Sequence, residues 1–144
     1  MATARERVLE FIDAINAGDA RKIGDLITED HLFIDSDGTE TRGWREMRQA
    51  WHQYFVMMPD YRIQIREAFC EGNTVVLVGT AAGTYAPGGA LDPRNQWTVP
   101  AAWRAVVEAE GIAVWQVFCS TEPISRVVRA AEERLAARRG DPQD

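Results

Sequence analysis

The sequence predicts an α+β fold in which helices cover one face of a curved, mostly antiparallel sheet. Two observations support this prediction. Apolar residues recur three and four positions apart in the first part of the chain, whereas from Asp60 onward they alternate with a period of two. Runs of helices followed by runs of strands are typical of layered α+β domains. A strongly curved sheet closing over a long helix at 44–57 would form a cone with an apolar interior.

Three helices are predicted in the first 60 residues. The first spans about residues 3–17, where one helix face carries Val8, Phe11, Ile12 and Ile15. Asp19 can cap a short second helix that ends near Glu29. The third runs from Trp44 to about Met57 and is stopped by Pro59, with a broad apolar face made of Trp44, Met47, Trp51, Tyr54, Phe55 and Met58.

Five strands are predicted. The first covers 31–35 and is followed by the turn sequence SDGTETRG. The next begins near Tyr61, whose side chain alternates with charged and polar neighbours in step with Ile63 and Ile65. The segment TVVLVGTAAGTY follows and is apolar on both faces, and two long strands joined by a hairpin near 108–111 complete the sheet.

The remaining segments are a loop and a last helix. APGGALDPRNQ is a Gly/Pro-rich loop of the kind that often borders a ligand site. Pro123 opens a final helix with an apolar stripe, and the chain ends in a charged tail, residues 139–144. Because no linker rich in Gly, Ser or Pro divides the sequence, we expect residues 1–144 to form one domain with its core at about 4–138.

Composition and charge exclude several classes of partner. Sixteen Lys and Arg against 22 Asp and Glu give a net charge of −6, which disfavours nucleic acid. No segment approaches the roughly 18 consecutive apolar residues of a membrane helix. Cys70 and Cys119 show no metal-site or disulfide pattern and predict two reduced thiols in a cytoplasmic protein. The DSDG turn lacks the length and distal Glu of a calcium loop, so no metal is expected.

Several motifs occur in an order and spacing that resemble one superfamily. They are AINAGD, DHLFIDSDG, GWREM, MPDY, GNTVVLVGTAAGTY and EAEGIAVWQVFCS. The chain resembles the nuclear transport factor 2-like cone fold, a cystatin-like α+β barrel, and within it the branch of SnoaL-like polyketide cyclases and ketosteroid isomerases. The resemblance covers roughly residues 4–130. It implies a cofactor-free domain with an apolar pocket, although the fold also hosts other enzymes and non-catalytic binding proteins.

The resemblance assigns roles at three positions. Asp35 matches the aspartate that removes a proton next to a carbonyl in the isomerases. Phe11 stands where the isomerase pattern has a tyrosine that stabilises the oxyanion. Gln116, after Trp115, stands where the cyclases have an acid/base aspartate, and a glutamine can donate a hydrogen bond but cannot titrate. The Arg and Asp pair of the epoxide hydrolases has no counterpart in the strands.

Asp35 is the candidate base, and two interpretations of it stand side by side. A carboxylate in an apolar pocket can abstract a proton alpha to a carbonyl when a donor holds the developing enolate; ketosteroid isomerase is an established example of this chemistry. An aspartate at a strand end can instead initiate a turn. By alternation His31 and Phe33 share its face, so His31 either orients Asp35 or is structural.

Aromatic residues give the candidate pocket walls. Trp51, Tyr54 and Phe55 occur at helical spacing, which fits either core or pocket wall, and Tyr54 can supply the missing hydroxyl donor. Tyr85 either lies at the pocket mouth or anchors the loop after it. Parity leaves open which face of the strand at 96–104 lines the cavity. The remaining candidate substrate-binding residues are Phe33, Trp97, Trp103 and Trp115.

Two functions follow from these residues. The first is an enzyme that isomerises or cyclises an apolar carbonyl compound, polyketide-like or steroid-like, with Asp35 as the base and Tyr54 and Gln116 as candidate donors. The alternative is a non-catalytic, dimeric ligand-binding or accessory protein. Strands that are apolar on both faces need an outer cover, and we expect a homodimer to provide it through the outer face of the sheet.

Overall fold

The computed structural model describes residues 2–140 and confirms the α+β class. Within this range the chain forms four α-helices, six strands and one short 3-10 helix. In chain order these are α1 (Ala4–Asn16), α2 (Ala20–Leu26), β1 (Ile27–Ile34), β2 (Glu40–Arg42), α3 (Trp44–Met57), β3 (Arg62–Glu71), β4 (Thr74–Thr84), the 3-10 helix Pro93–Asn95, β5 (Gln96–Glu108), β6 (Gly111–Cys119) and α4 (Glu122–Arg139).

The strands form a single curved sheet in the order β2-β1-β6-β5-β4-β3. Every neighbouring pair is antiparallel except β1 and β6, which run parallel. The sheet does not close into a barrel, because β2 and β3 at its two edges do not pair with each other. Helix α1 packs across β3 to β6, and α3 packs against β1 and β2. Two helices, rather than α3 alone, therefore fill the concave side.

Helix α1 is specified locally and then fixed by packing. Thr3 caps it, because its hydroxyl accepts a hydrogen bond from the Glu6 N–H at 3.1 Å while its own N–H donates to the Glu6 carboxylate at 2.9 Å. The apolar stripe predicted from the sequence is buried against the sheet, and each such side chain contributes about 1.5–3 kcal/mol relative to full exposure. At the helix end, the Asn16 amide donates to the Ile63 carbonyl at 3.0 Å and so fixes the start of β3.

Three element boundaries differ from the sequence prediction. Helix α2 ends at Leu26, and β1 begins at Ile27 because Ile27 pairs with Ile112 of β6. The turn sequence SDGTETRG contains the short strand β2, which pairs with the end of β1. Helix α4 continues to Arg139, the first residue of the predicted tail, and residues 141–144 lie outside the described residues. The first difference arises because the strand partner of Ile27 is far away in the sequence. The second arises because β2, with three residues, is too short to show an alternating pattern.

Helix α4 lies against β5 and is held by the loop that precedes β5. The Tyr85 hydroxyl donates a hydrogen bond to the Glu132 carboxylate, and the Arg134 guanidinium donates to the Asn95 side-chain oxygen. Asn95 is itself buried and donates to the Tyr85 carbonyl at 2.9 Å. These contacts fix the second half of α4 and leave its first half over the open end of the sheet. No helix within residues 2–140 is both long and apolar enough to cross a membrane.

Gly79 is required by a close approach of two strands. It lies in β4 opposite Ile65, next to the β-bulge that interrupts the pairing after Ile65. A Cβ atom at Gly79 would lie 1.9 Å from the Gln64 carbonyl oxygen, so β3 would have to move.

We expect Gly79→Ala to lower the free energy of unfolding by about 2–3 kcal/mol, as measured by urea denaturation. Gly88→Ala is the matched control, since no heavy atom lies within 4 Å of its added Cβ; equal denaturation midpoints for the two variants would contradict this account.

Candidate functional site

A cavity of about 710 Å³ lies between the concave face of the sheet, α3 and the first half of α4. This volume is within the range of small-molecule sites. Its aromatic wall consists of Phe33, Trp51, Tyr54, Tyr61, Trp97 and Trp115. Its polar lining residues are Asp35, Ser36, Thr41, Thr121, Ser125 and Arg129, and the cavity is otherwise lined mainly by aliphatic side chains and the Cys119 thiol.

Strand alternation decides which side chains reach the cavity. On β6, Trp115, Val117 and Cys119 line it, so the intervening Gln116 points to the other face. On β5, Trp97 and Val99 line it, which settles the face that the sequence left open. The parallel pairing of β1 with β6 then places Phe33 beside Trp115 and brings the end of β1 to the cavity.

The rings of the aromatic wall contact one another, some edge-to-face and some tilted. The Tyr54 and Tyr61 ring centroids are 5.0 Å apart with an interplanar angle of 89°, and Trp51 contacts Tyr54 edge-on at 6.3 Å. Tyr61 also contacts Trp97 at 6.1 Å. Such ring contacts contribute about 0.5–1.5 kcal/mol each beyond the area they bury, so the wall residues support one another.

Asp35 follows β1 directly and is exposed. Its Oδ1 accepts hydrogen bonds from the Ser36 N–H at 2.7 Å and from the Ser36 hydroxyl at 3.4 Å, while its backbone bonds to Thr39 and Gly38 close the turn. The turn role is therefore present. Among residues 2–140 no group donates a hydrogen bond to Oδ2, and neither Tyr54 nor His31 is bonded to the carboxylate. One carboxylate oxygen orients the side chain, and the other is available to a ligand.

The negative charge of Asp35 influences the pKa of three other groups that line the cavity. Burial raises the pKa of the Tyr54 and Tyr61 hydroxyls well above the usual range, and the negative charge of Asp35 raises both further. Burial also raises the pKa of the Cys119 thiol; the Ser36 hydroxyl beside the sulfur acts in the opposite direction, and Asp35 adds to the rise. At neutral pH the two tyrosines are therefore hydrogen-bond donors, and Cys119 is a thiol.

The structure brings together six of the residues predicted for the site. Asp35, Tyr54, Phe33, Trp51, Trp97 and Trp115 all line the cavity. Five other predicted residues do not line it: His31, Phe55, Tyr85, Trp103 and Gln116.

These five residues are placed elsewhere by packing. Phe55 stacks on Trp51 at 5.5 Å, and Trp103, fully buried, stacks on Trp115 at 6.4 Å, so each supports a wall residue from outside the cavity. The Tyr85 hydroxyl is engaged by Glu132 of α4. On the outer face, Gln116 accepts a hydrogen bond from the Arg104 guanidinium at 3.5 Å. The sequence interpretation of Gln116 as an oxyanion donor is corrected by this placement.

His31 belongs to the core rather than to the cavity. Its Nδ1–H donates to the Ile112 carbonyl oxygen at 2.6 Å, which fixes the tautomer, and the ring is fully buried. Its Nε2 has no hydrogen-bond partner among the described residues. An irregular stretch of β1 pairing between Ile27 and Leu32 precedes the regular end of the strand. His31 therefore couples β1 to β6 and does not touch Asp35.

The sequence interpretation missed several lining residues. Tyr61 could have been found, because it alternates in step with Ile63 and Ile65 and so faces the concave side. Thr121, Ser125 and Arg129 could not, because their presence depends on where α4 lies in the folded protein. Within residues 2–140, no three His, Cys, Asp or Glu side chains converge in a way that could hold a metal ion.

Sequence comparison identifies one family over most of the chain. The family described as SnoaL-like domain matches residues 8–118. No curated protein matches the sequence significantly.

Solved structures share the fold. A proposed SnoaL-like polyketide cyclase from Shewanella denitrificans superposes with a TM-score of 0.75 at 14% identity, covering 88% of this chain and 97% of that chain. A protein of ketosteroid isomerase-like fold from Catenulispora acidiphila, in complex with trimethylamine, gives 0.73 at 20% identity, covering 85% and 91%. An LEH-like epoxide hydrolase from M. tuberculosis gives 0.72 at 14% identity, covering 88% and 84%. At these identities the likeness shows the fold alone.

The buried His31 makes stability depend on pH. Burial lowers the pKa of His31, although the Ile112 carbonyl and the Asp30 charge act in the opposite direction. The unfolded chain takes up a proton at this histidine near pH 6.5, before the folded protein does, so stability is complete above that pH and falls below it. We expect wild type to lose more unfolding free energy than His31→Gln between about pH 7.5 and about pH 5.5, measured by urea denaturation.

The other histidine is the control for this measurement. His52 is exposed on α3, and His52→Gln should show the same pH dependence as wild type. If His31→Gln and His52→Gln lose stability equally over this interval, the buried imidazole is not the group responsible.

Proposed function

The chain belongs to the SnoaL-like domain family, and we propose that it is an enzyme of the isomerase or cyclase type that acts on an apolar carbonyl compound by cofactor-free proton abstraction. One observation carries the proposal: Asp35, which has one carboxylate oxygen that accepts no hydrogen bond from the described residues, and Tyr54 line the same aromatic-walled cavity. A base and a neutral hydrogen-bond donor are the two groups that enolisation requires. The cytoplasm is the proposed location of the protein, because its two free thiols, Cys70 and Cys119, would stay reduced there.

The proposed reaction begins at the carbon next to the substrate carbonyl. Asp35 accepts the proton through Oδ2, the C–H electron pair forms the enolate, and the negative charge moves to the carbonyl oxygen, to which Tyr54 donates a hydrogen bond. Return of the proton from Asp35 to another carbon of the conjugated system completes an isomerisation. For a cyclisation, the enolate carbon attacks a second carbonyl of the same molecule, the C=O π electrons move to its oxygen, and the resulting alkoxide takes up the proton from Asp35. A bound apolar substrate would displace water from around the Asp35 carboxylate.

The cavity walls support a polycyclic substrate. Trp51, Trp97 and Trp115 offer flat apolar surfaces, and the volume of about 710 Å³ can hold several fused rings. Polyketide-like or steroid-like ring compounds have these properties. The proposed cyclase from S. denitrificans is consistent with this substrate class.

A second candidate is a non-catalytic, dimeric ligand-binding or accessory protein. It is favoured by the exposure of Asp35 and by the use of its Oδ1 in the turn. Phe11 lies in the core in edge-to-face contact with Trp115, and Gln116 lies on the outer face, so neither supplies the reactive group that the related branches have there. In this case the cavity would bind the same class of compound without proton transfer.

Asp35→Asn separates the two candidates. Asparagine keeps an oxygen that can accept the Ser36 N–H, so the turn is preserved and only the base is lost. We expect the variant to reduce, by at least about 100-fold, the rate at which bicyclic ketones incorporate deuterium next to the carbonyl in D₂O, followed by NMR. A wild-type protein that binds these ketones and exchanges no deuterium would support the binding function instead.

Asp37→Asn is the matched control for this experiment. Asp37 belongs to the same turn, its Oδ1 accepts from the Thr39 N–H at 2.9 Å, and it does not line the cavity. Its variant should exchange deuterium at the wild-type rate. An equal loss in both variants would assign the effect to the turn rather than to the base.

The proposed homodimer rests on the outer face of the sheet. Val78, Ala102 and Phe118 lie in one row across β4, β5 and β6, with Val78 37% and Phe118 49% exposed. Phe69 of β3 lies in the next row and is 56% exposed. An exposed apolar row on the outer face of a sheet suits pairing with a second copy of the chain.

Phe118→Asp tests the dimer. A charge in the apolar row would have to be buried in the dimer without a partner, so we expect the variant to be monomeric while wild type has twice the mass of one chain in light scattering. Val56→Asp is the control, because Val56 is 61% exposed on α3, away from the sheet. A wild-type monomer would count against the assembly.

A further inference from the structure

Tyr61 is held in place by the chain on both sides of it. Its N–H donates to the Met58 carbonyl at 3.1 Å. Just before it, the Asp60 carboxylate accepts from the N–H and the hydroxyl of the buried Thr84, both at 2.7 Å. Just after it, the Ile63 N–H donates to the Asn16 side-chain oxygen at 2.7 Å. The backbone that carries Tyr61 is therefore attached to both β4 and α1.

The ring of Tyr61 packs against three other aromatic rings, whereas its hydroxyl makes no hydrogen bond with the described residues. The ring contacts Tyr54 at 5.0 Å, Trp97 at 6.1 Å and Trp51 at 6.4 Å. Among residues 2–140 neither the Tyr61 nor the Tyr54 hydroxyl has a hydrogen-bond partner, whereas the hydroxyl of Tyr85 is bonded to Glu132. Tyrosines that are largely buried normally find a partner for the hydroxyl. Because Tyr54 and Tyr61 both line the cavity, both hydroxyls are free to donate to a ligand that enters it.

Both hydroxyls are suited to an oxygen that gains negative charge. Burial raises the pKa of Tyr54 and of Tyr61, and the Asp35 carboxylate raises them further, so both remain protonated donors. A carbonyl oxygen has two lone pairs and can accept from two donors. Once a bound substrate has displaced water, two donors stabilise an enolate oxygen more than a single donor would.

We propose that Tyr61 is a second oxyanion donor of the cavity, acting with Tyr54 on the carbonyl or phenolic oxygen of a flat, conjugated ring compound. This inference rests on the proposed function for the identity of the site and adds the class of ligand that the site selects. A ring compound without that oxygen would leave two hydroxyls unpaired in an apolar cavity and would be bound less tightly for that reason.

The test compares two ligands of the same shape. The first probe is 2-naphthol, and the second is 2-methylnaphthalene, in which a methyl group replaces the hydroxyl. Binding is followed by the change in tryptophan fluorescence, since Trp51, Trp97 and Trp115 line the cavity. We expect Tyr61→Phe to weaken 2-naphthol about three- to tenfold, the effect of one hydrogen bond, and to leave 2-methylnaphthalene unchanged.

Tyr85→Phe is the matched control. Tyr85 is the third and last tyrosine of the chain, its hydroxyl is bonded to α4, and it does not line the cavity. Because its hydroxyl bonds to α4 and not to a group in the cavity, its variant should affect the binding of both probes equally, without a selective loss of 2-naphthol. Tyr61→Phe keeps the ring and its three aromatic contacts, and an unchanged urea midpoint would show that the fold is intact.

The outcomes separate this inference from the proposed catalysis. Equal weakening of both probes by Tyr61→Phe, no weakening of 2-naphthol, or no binding of 2-naphthol to wild type would overturn the donor role. Selective weakening of 2-naphthol would support that role even where no ketone exchanges deuterium, in which case only the proposed catalysis fails. A third outcome is that deuterium exchange depends on Asp35 while Tyr61→Phe binds 2-naphthol as wild type does. In that case the proposed catalysis stands and only the donor role of Tyr61 is overturned.

Discussion

The parallel pairing of β1 with β6 is the contact on which the site depends. It places Phe33 against Trp115 and carries the turn at Asp35 to the end of the cavity where Cys119 and the first turn of α4 lie. The buried His31 supports this pairing from within, because its ring donates to the carbonyl of Ile112 in β6. Since parallel neighbours cannot be joined by a short turn, the connection from β1 to β6 runs through β2, α3, β3, β4 and β5, and residues of α3, β4 and β5 also line the cavity. The site is therefore a product of the complete domain.

Within that frame the cavity combines one carboxylate with neutral donors. The carboxylate of Asp35 is oriented by the turn through one oxygen, and the two tyrosine hydroxyls remain protonated because burial and the nearby negative charge both oppose their ionisation. The same charge and the same burial keep the Cys119 thiol protonated. A negative charge that moves from the carboxylate to a ligand oxygen would thus meet donors already in place. Preorganisation of this kind is the main electrostatic resource that an enzyme has when it carries no cofactor.

Alternation along the strands gives the two faces of the sheet different roles. Trp97 and Trp115 point into the cavity, and Trp103, on the same face, continues the row into the solid core beneath α1. Ala102 and Phe118 point outward from the same two strands and form the apolar surface of the proposed dimer. A substitution on β5 or β6 therefore changes the cavity or the outer apolar surface according to its parity. The open end of the sheet is covered by α4, whose attachment to the loop before β5 is polar and specific.

The amino-acid sequence by itself determined the fold class, the helices α1 and α3 and the alternating strands, because helical period and strand period are local properties of the chain. Asp35 became the candidate base through the resemblance of its segment to the isomerase pattern, since turn chemistry alone also explains an aspartate at a strand end. The sequence also placed Tyr54 and four aromatic wall residues, since these lie on strongly periodic faces. Only the tertiary structure decided that Gln116 faces outward, that Trp103 and Phe55 lie outside the cavity and that Tyr61 and Arg129 line it. The physical reason is that a periodic pattern tells which face of an element is buried. How far along that face the core ends and the cavity begins is set by the register of strands and by the resting place of α4, which depend on contacts between residues far apart in the chain.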